Sequence, residues 1–167
     1  MISGPESSGK TTLFKELCNV YSIKGVSEYS RDYIANLDRD YTYDDILKIA
    51  KQQVVNEQKC FEMKQPFLFA DCDLLTLEIW CEFKYGKCHT FISENLRNQL
   101  PDIYFLCFPD IPWEYDSQRE NPNDRLGLFD IYESKVKSFG VDYHILKGDK
   151  PDRLKSAKRI ITRIANS

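Results

Sequence analysis

Apolar positions along the chain fall into two alternating patterns. Short continuous runs occur at Phe67-Leu68-Phe69-Ala70, Ile103-Tyr104-Phe105-Leu106-Cys107-Phe108 and Val141-Asp142-Tyr143-His144-Ile145-Leu146, with shorter ones at Met1-Ile2-Ser3 and Ile23-Lys24-Gly25-Val26-Ser27. Bounded by proline, glycine or acidic residues, such runs read as buried strands of a parallel sheet. Between them apolar residues recur at helical spacing over 13–21, 42–63, 74–83 and 126–139, and in a last stretch from Pro151. In the second of these, Thr42 followed by Asp45 resembles a capping box, and Ile46, Ile49, Ala50, Gln53, Val54 and Cys60 trace one face. In the last, Pro151 suits the first helical position, and Leu154, Ala157, Ile160, Ile161 and Ile164 face a core. Strands alternating with helices, without a repeat or a Gly/Ser-rich linker, predict a single α/β domain over 1–167. Its expected centre is a five-stranded parallel sheet covered on both faces.

Composition narrows the class. At 167 residues, 42% hydrophobic and 29% charged, the chain is long and apolar enough to bury a core rather than remain disordered. The net charge of −3 gives no electrostatic footprint for nucleic acid or an anionic membrane. No apolar run approaches the ~20 residues that span a bilayer, and no signal peptide is expected. Six cysteines without a C-x-x-C pair read as buried reduced thiols, so the expected location is cytoplasmic.

The chemistry begins at the amino end. Gly4-Pro5-Glu6-Ser7-Ser8-Gly9-Lys10-Thr11, with Thr12 behind it, fits the pattern G-x-x-x-x-G-K-S/T. Small residues let the backbone curl so that successive N–H groups point at phosphate oxygens, and the positive end of the following helix joins the same anion site. Lys10 then reaches the outer phosphates and Thr11 ligates Mg²⁺, so ATP and Mg²⁺ are the expected cofactors. Because Met1-Ile2-Ser3 is shorter than an ordinary strand of about five or six residues, the true start is expected upstream of Met1.

Open parallel sheets bind ligands beyond the carboxyl ends of their strands. Candidates there are Glu28 and Arg31, in Glu28-Tyr29-Ser30-Arg31-Asp32-Tyr33, and the pair in Asp71-Cys72-Asp73. Asp71 is expected at Mg²⁺ or its water shell and Asp73 at the substrate. Gln53 and Glu57, one helical turn apart, fit either a solvated face or a ligand contact. The polar segment at about 110–126, carrying Asp116, Arg119, Glu120, Pro122 and Arg125, reads as a lid that supplies positive charge as a γ-phosphoryl group leaves, or more plainly as a charged surface loop. By fold analogy, the turn from Gly148 to Arg153 closes around adenine. Trp80 is assigned to the core, and His89 receives no role.

Taken in order, the phosphate loop, Glu28-Tyr29-x-Arg31-x-Tyr33, Ile49-Ala50-x-x-Gln53, Phe69-Ala70-Asp71-x-Asp73, Pro109-Asp110-Ile111-Pro112-Trp113-x-x-Asp116-x-x-Arg119 and Arg125 resemble the ribosylnicotinamide kinase domain of the NadR family over essentially the whole chain. The resemblance implies a P-loop NTPase fold of three αβα layers with a lid. It further implies transfer of the γ-phosphoryl of ATP to the 5′-hydroxyl of nicotinamide riboside, giving nicotinamide mononucleotide. On that basis 4–12 hold the nucleotide, Asp71 and Asp73 are the acids at the reacting centre, with Glu28 as the alternative base, and Asp116, Arg119 and Arg125 belong to the lid. The nucleotidyltransferase domain of some members has no counterpart here, so adenylyl transfer and repression are expected to be absent. Where some members carry an aromatic residue before Glu-Tyr, this chain has Ser27, which leaves Tyr29, Tyr33 or Trp113 to stack the base, or signals a different nucleoside. Two rivals keep the phosphate loop: a kinase of another nucleoside or small metabolite, and a nucleotide-dependent regulatory ATPase.

Overall fold

The run at 103–108 becomes the middle of the sheet. In the computed structural model, which describes residues 1–119 and 123–166, β1 (Ile2–Ser3), β2 (Ile103–Cys107) and β3 (Asp142–Leu146) are parallel and lie in the order β1-β2-β3. Side chains alternate across β2 with period two: Tyr104 and Leu106 enter one core, Phe105 and Cys107 the other. A strand buried on both faces therefore reads as an unbroken apolar run.

The expected five strands resolve into three strands and two single bridges among the described residues. Val26 pairs with Ala70, and Ile2 with Asp71, both parallel. The segment at 67–71 lies alongside β1, and the segment at 23–27 lies alongside 67–71 on its far side. Each makes only a short ladder, through Val26 N–H to Phe69 O, Asp71 N–H to Val26 O, Ile2 N–H to Ala70 O and Cys72 N–H to Ile2 O. Cys72 then turns into left-handed backbone at φ 65°, which ends the pairing.

Helices cover both faces. α1 (Lys10–Tyr21) and α7 (Lys150–Ala165) pack on one, where Leu13, Phe14, Leu17, Ala157, Ile160 and Ile161 join Phe105 and Leu146. On the other lie α3 (Tyr43–Phe61), α4 (Leu74–Tyr85), α5 (Thr90–Asn98) and α6 (Arg125–Phe139), around Ile46, Leu75, Ile92 and Val136. The capping box of α3 forms as expected, with both the Thr42 and Asp45 side chains engaged. Two short helices had no distinct periodic signal: α2 (Tyr29–Ala35) and α5, which holds itself to the core through Ile92 and Leu96. All six cysteines are free thiols. Among the described residues no helix is long and apolar enough to cross a membrane.

Candidate active site

β1 runs directly into the phosphate loop, and close packing dictates its first residue. Gly4 has φ +134°, and a Cβ there would lie 2.7 Å from the Cys107 carbonyl oxygen, so a side chain is barred by both backbone and space. Gly9, at φ +81°, caps α1, which begins at Lys10 inside the motif rather than at Leu13. Ser7 also takes left-handed backbone, φ 50°, and Ser8 Oγ donates to Pro5 O at 2.7 Å. Lys10 Nζ rests on the same carbonyl at 2.8 Å. Burial works to lower the Lys10 ammonium, but Cys72, Glu28 and Asp71 outweigh it and leave the pKa raised, so the cation persists in the site.

Arg153 holds this loop from behind. Its guanidinium donates to Gly148 O (2.8 Å), Ser8 O (2.5 Å) and Phe108 O (2.8 Å), and it also pairs with Asp110. Only 3% of it is exposed. The residue lines the cleft, but four of its five N–H donors are engaged, three on backbone carbonyls and one on Asp110, so it braces the loop.

The acidic turn sits beneath the loop. Asp71 is buried beside the Thr11 hydroxyl; burial raises its pKa, against the opposing pull of Thr11 and Lys10. Cys72, in left-handed backbone that a non-glycine residue adopts at a cost of about 1–3 kcal/mol, separates it from Asp73. Asp73 Oδ2 accepts from the Tyr104 hydroxyl at 2.7 Å, while its buried Oδ1 has no partner. Burial pushes the Asp73 carboxyl up to about 6, and Glu57 up to about 7. Gln53 is buried between these acids, donating to Glu57 Oε1 at 3.0 Å and reaching Cys72 O at 3.5 Å, so the pair on α3 faces the site rather than solvent.

Glu28 and Arg31 reach the cleft from α2. Arg31 bridges Glu28 (3.4 Å) and Asp116 (2.8 Å), which ties α2 to the segment read as a lid and holds the Asp116 carboxyl below its ordinary range. That segment is docked on the phosphate loop. Arg119 Nη1 donates to Ser7 Oγ at 3.4 Å, Arg125 Nη1 to Ser7 O at 3.2 Å, and Glu114 N–H to Ser7 Oγ at 3.0 Å. Arg119 Nε is buried without a hydrogen-bond partner, 3.9 Å from Asp116 Oδ2. Both guanidiniums lie over the Trp113 ring, each 5.8 Å from its centroid. Glu120 and Pro122 of the expected lid lie outside the described residues.

The main cleft has a volume of about 190 Å³. The phosphate loop, including Pro5, Glu6 and Thr12, forms one wall, and Glu28, Arg31, Arg119 and Arg153 also line it. A smaller cavity of about 10 Å³, lined by Tyr29, Gln53 and Asp73, shares Glu28, Ser30, Cys72 and Thr76 with it. Five expected site residues line neither cavity: the Tyr33 hydroxyl donates to Asp45 at 2.9 Å, Trp113 packs against the lid arginines, Asp71 is buried behind the loop, Asp116 is paired with Arg31, and Arg125 is bound to Ser7 O. The apolar wall comes instead from Ile79, Trp80 and Phe83 of α4 and Leu128 and Tyr132 of α6. The available signal was the spacing of Cys72, Thr76, Ile79, Trp80 and Phe83, one stripe that continues from the acidic turn.

A glycine-rich loop between a parallel strand and a helix, with helices on both faces of the sheet, defines a P-loop nucleotide-binding protein. The chain belongs to the family described as AAA domain, which matches residues 1–153. It is homologous to the trifunctional NAD biosynthesis/regulator protein NadR. Identity to the Salmonella typhimurium protein is 27% over 155 residues, 89% of this chain and 38% of that one; to the Escherichia coli protein it is 30% over 122 residues, 71% and 30% respectively. The chain thus spans 38% and 30% of the length of these two relatives. Its fold matches a crystal structure of NadR in complex with NR and another in complex with NAD and AMP-PNP. Both superpose with a TM-score of 0.76 at 18% identity, over 99% of this chain and 50% or 49% of the other.

Proposed function

We propose that this protein transfers the γ-phosphoryl of ATP to the 5′-hydroxyl of nicotinamide riboside. The observation that carries the reading is convergence: the phosphate loop, Cys72 of the acidic turn, Glu28 and Arg119 line one cleft, Asp73 lines the small cavity that adjoins it, and Arg125 is docked on the loop at Ser7. The relatives' role in NAD biosynthesis, and the NR and AMP-PNP bound by the matching structures, supply the choice of acceptor and donor.

Phosphoryl transfer asks a protein mainly for position and electrostatics. Backbone amides of 5–11 hold the phosphates, and Lys10 adds a cation. Asp73, whose pKa burial brings to about 6, orients the acceptor hydroxyl and takes its proton as the oxygen attacks; the ADP oxygen leaves with the electron pair of the broken bond. Arg119 and Arg125 balance the charge spreading over the phosphoryl oxygens. Mg²⁺ fits the donors present: the Thr11 hydroxyl and Asp71 carboxylate are adjacent hard oxygens. Among the described residues no cluster of three His, Cys, Asp or Glu could hold a metal unaided, as suits an ion that takes most of its ligands from phosphate and water. When bound, the ion neutralises phosphate charge.

The test is ADP release with nicotinamide riboside, other nucleosides and small hydroxylated vitamins as acceptors. Nicotinamide riboside is expected to give the highest kcat/KM, and Lys10→Ala to abolish turnover while remaining folded. Turnover retained in Lys10→Ala refutes the site, and a different best acceptor refutes the substrate.

A further inference from the structure

The residues expected to stack the acceptor's base are committed elsewhere. Tyr33 is hydrogen-bonded to Asp45, Trp113 is in cation–π contact with Arg119 and Arg125, and Tyr29 lines the small cavity beside Asp73. Ser27 is exposed. Trp80, by contrast, lines the main cleft, half-buried, on the same α4 stripe as Thr76, Ile79 and Phe83. Tyr41 backs its ring at a centroid distance of 5.1 Å, and Tyr41 is itself capped by Lys84 Nζ at 3.9 Å. Tyr132 and Leu128 of α6 line the same cleft.

From Asp73 to Trp80 the helix rises about 10 Å. Cys72 of the acidic turn and Trp80 line the same cleft, so an acceptor whose hydroxyl sits at that turn and whose ring lies on Trp80 has to span more than one helical turn, which a small alcohol does not. Indole is the strongest neutral partner for a cation over its face, and the pyridinium of nicotinamide riboside is a flat cation.

We infer that Trp80 is a specificity-determining residue, the surface on which the acceptor's cationic ring lies while its 5′-hydroxyl sits at the acidic turn. The inference rests on the function proposed above and adds the selection of a charged over an uncharged ring.

The test compares nicotinamide riboside with its neutral dihydropyridine form in wild type, Trp80→Leu and Trp80→Phe. Trp80→Leu is expected to raise KM for the cationic riboside about tenfold, to leave KM for ATP unchanged, and to erase most of the preference for the cation. Trp80→Phe should fall between. Quenching of tryptophan fluorescence by the riboside should vanish in Trp80→Phe and persist in Trp113→Phe, a readout that survives if Trp80→Leu fails to fold. Equal losses for the charged and neutral rings, or quenching that follows Trp113, overturn the role of Trp80 while the kinase reading stands. A wild type that phosphorylates neither form overturns both.

Discussion

Replacing Asp73 with asparagine should make the protein more stable at neutral pH and inactive. Asp73 is 5% exposed, and its Oδ1 has no partner. Burial moves its carboxyl from 3.8 to about 6. Below the unfolded value both states hold the proton, and the group contributes nothing. Between the two values the native state keeps a proton that the unfolded chain has released, so native stability falls as pH rises. Above the folded value both are ionised, and the full loss remains. A shift of this size corresponds to about 3 kcal/mol. Asparagine keeps the shape and can still accept from Tyr104, but it carries no charge to desolvate.

The measurement is urea unfolding of both proteins at several pH values, plotted as the difference between them. That difference should move in favour of Asp73→Asn by about 3 kcal/mol between pH 4 and pH 7, with unchanged m-values. Glu57 and the Met1 amino group, which burial brings to about 7 and about 6, both sense the Asp73 charge, and its loss lowers both in the variant. Phosphorylation should fall about 10²- to 10⁴-fold, the usual contribution of a general base. A flat difference curve, or one that favours wild type as pH rises, would refute the argument, since the latter is the signature of a lowered carboxyl.

Two further outcomes follow from the loop's surroundings. Arg153→Met strips the buried Ser8 carbonyl of its guanidinium donor and Asp110 of its ion partner, and should cost about 3–5 kcal/mol together with a raised KM for ATP; calorimetry showing less than about 1 kcal/mol lost would mean that the brace is not structural. Arg119→Ala should lower kcat about 10³-fold with little change in Tm, and a loss under tenfold in ADP release would remove Arg119 from the reacting centre.

The phosphate loop was legible residue by residue because anion binding by curled backbone is a local property: Gly4, Gly9 and Lys10 take their geometry from their own dihedrals and immediate packing. The strongly periodic helices were legible for the same reason, and so was the Thr42–Asp45 capping box. Asp45 exceeded its expected role, since Arg39, Lys48 and Tyr33 also converge on it. That convergence turned Tyr33 away from the cleft. The parallel placement of 23–27 and 67–71 was readable from their apolar runs, but not how few ladder bonds they make, because the turn at Cys72 ends the pairing.

The amino-acid sequence by itself determined the alternation of strands and helices, the triphosphate cradle and the acids at the strand tips, all set by spacing over a few residues. Only the tertiary structure decided that Arg153 braces the loop, that Asp73 is buried deeply enough to hold a proton near neutrality, and that Trp80 faces the cleft. These depend on which layer covers which side chain, and that is settled by packing between segments far apart in the chain, where local periodicity carries no information.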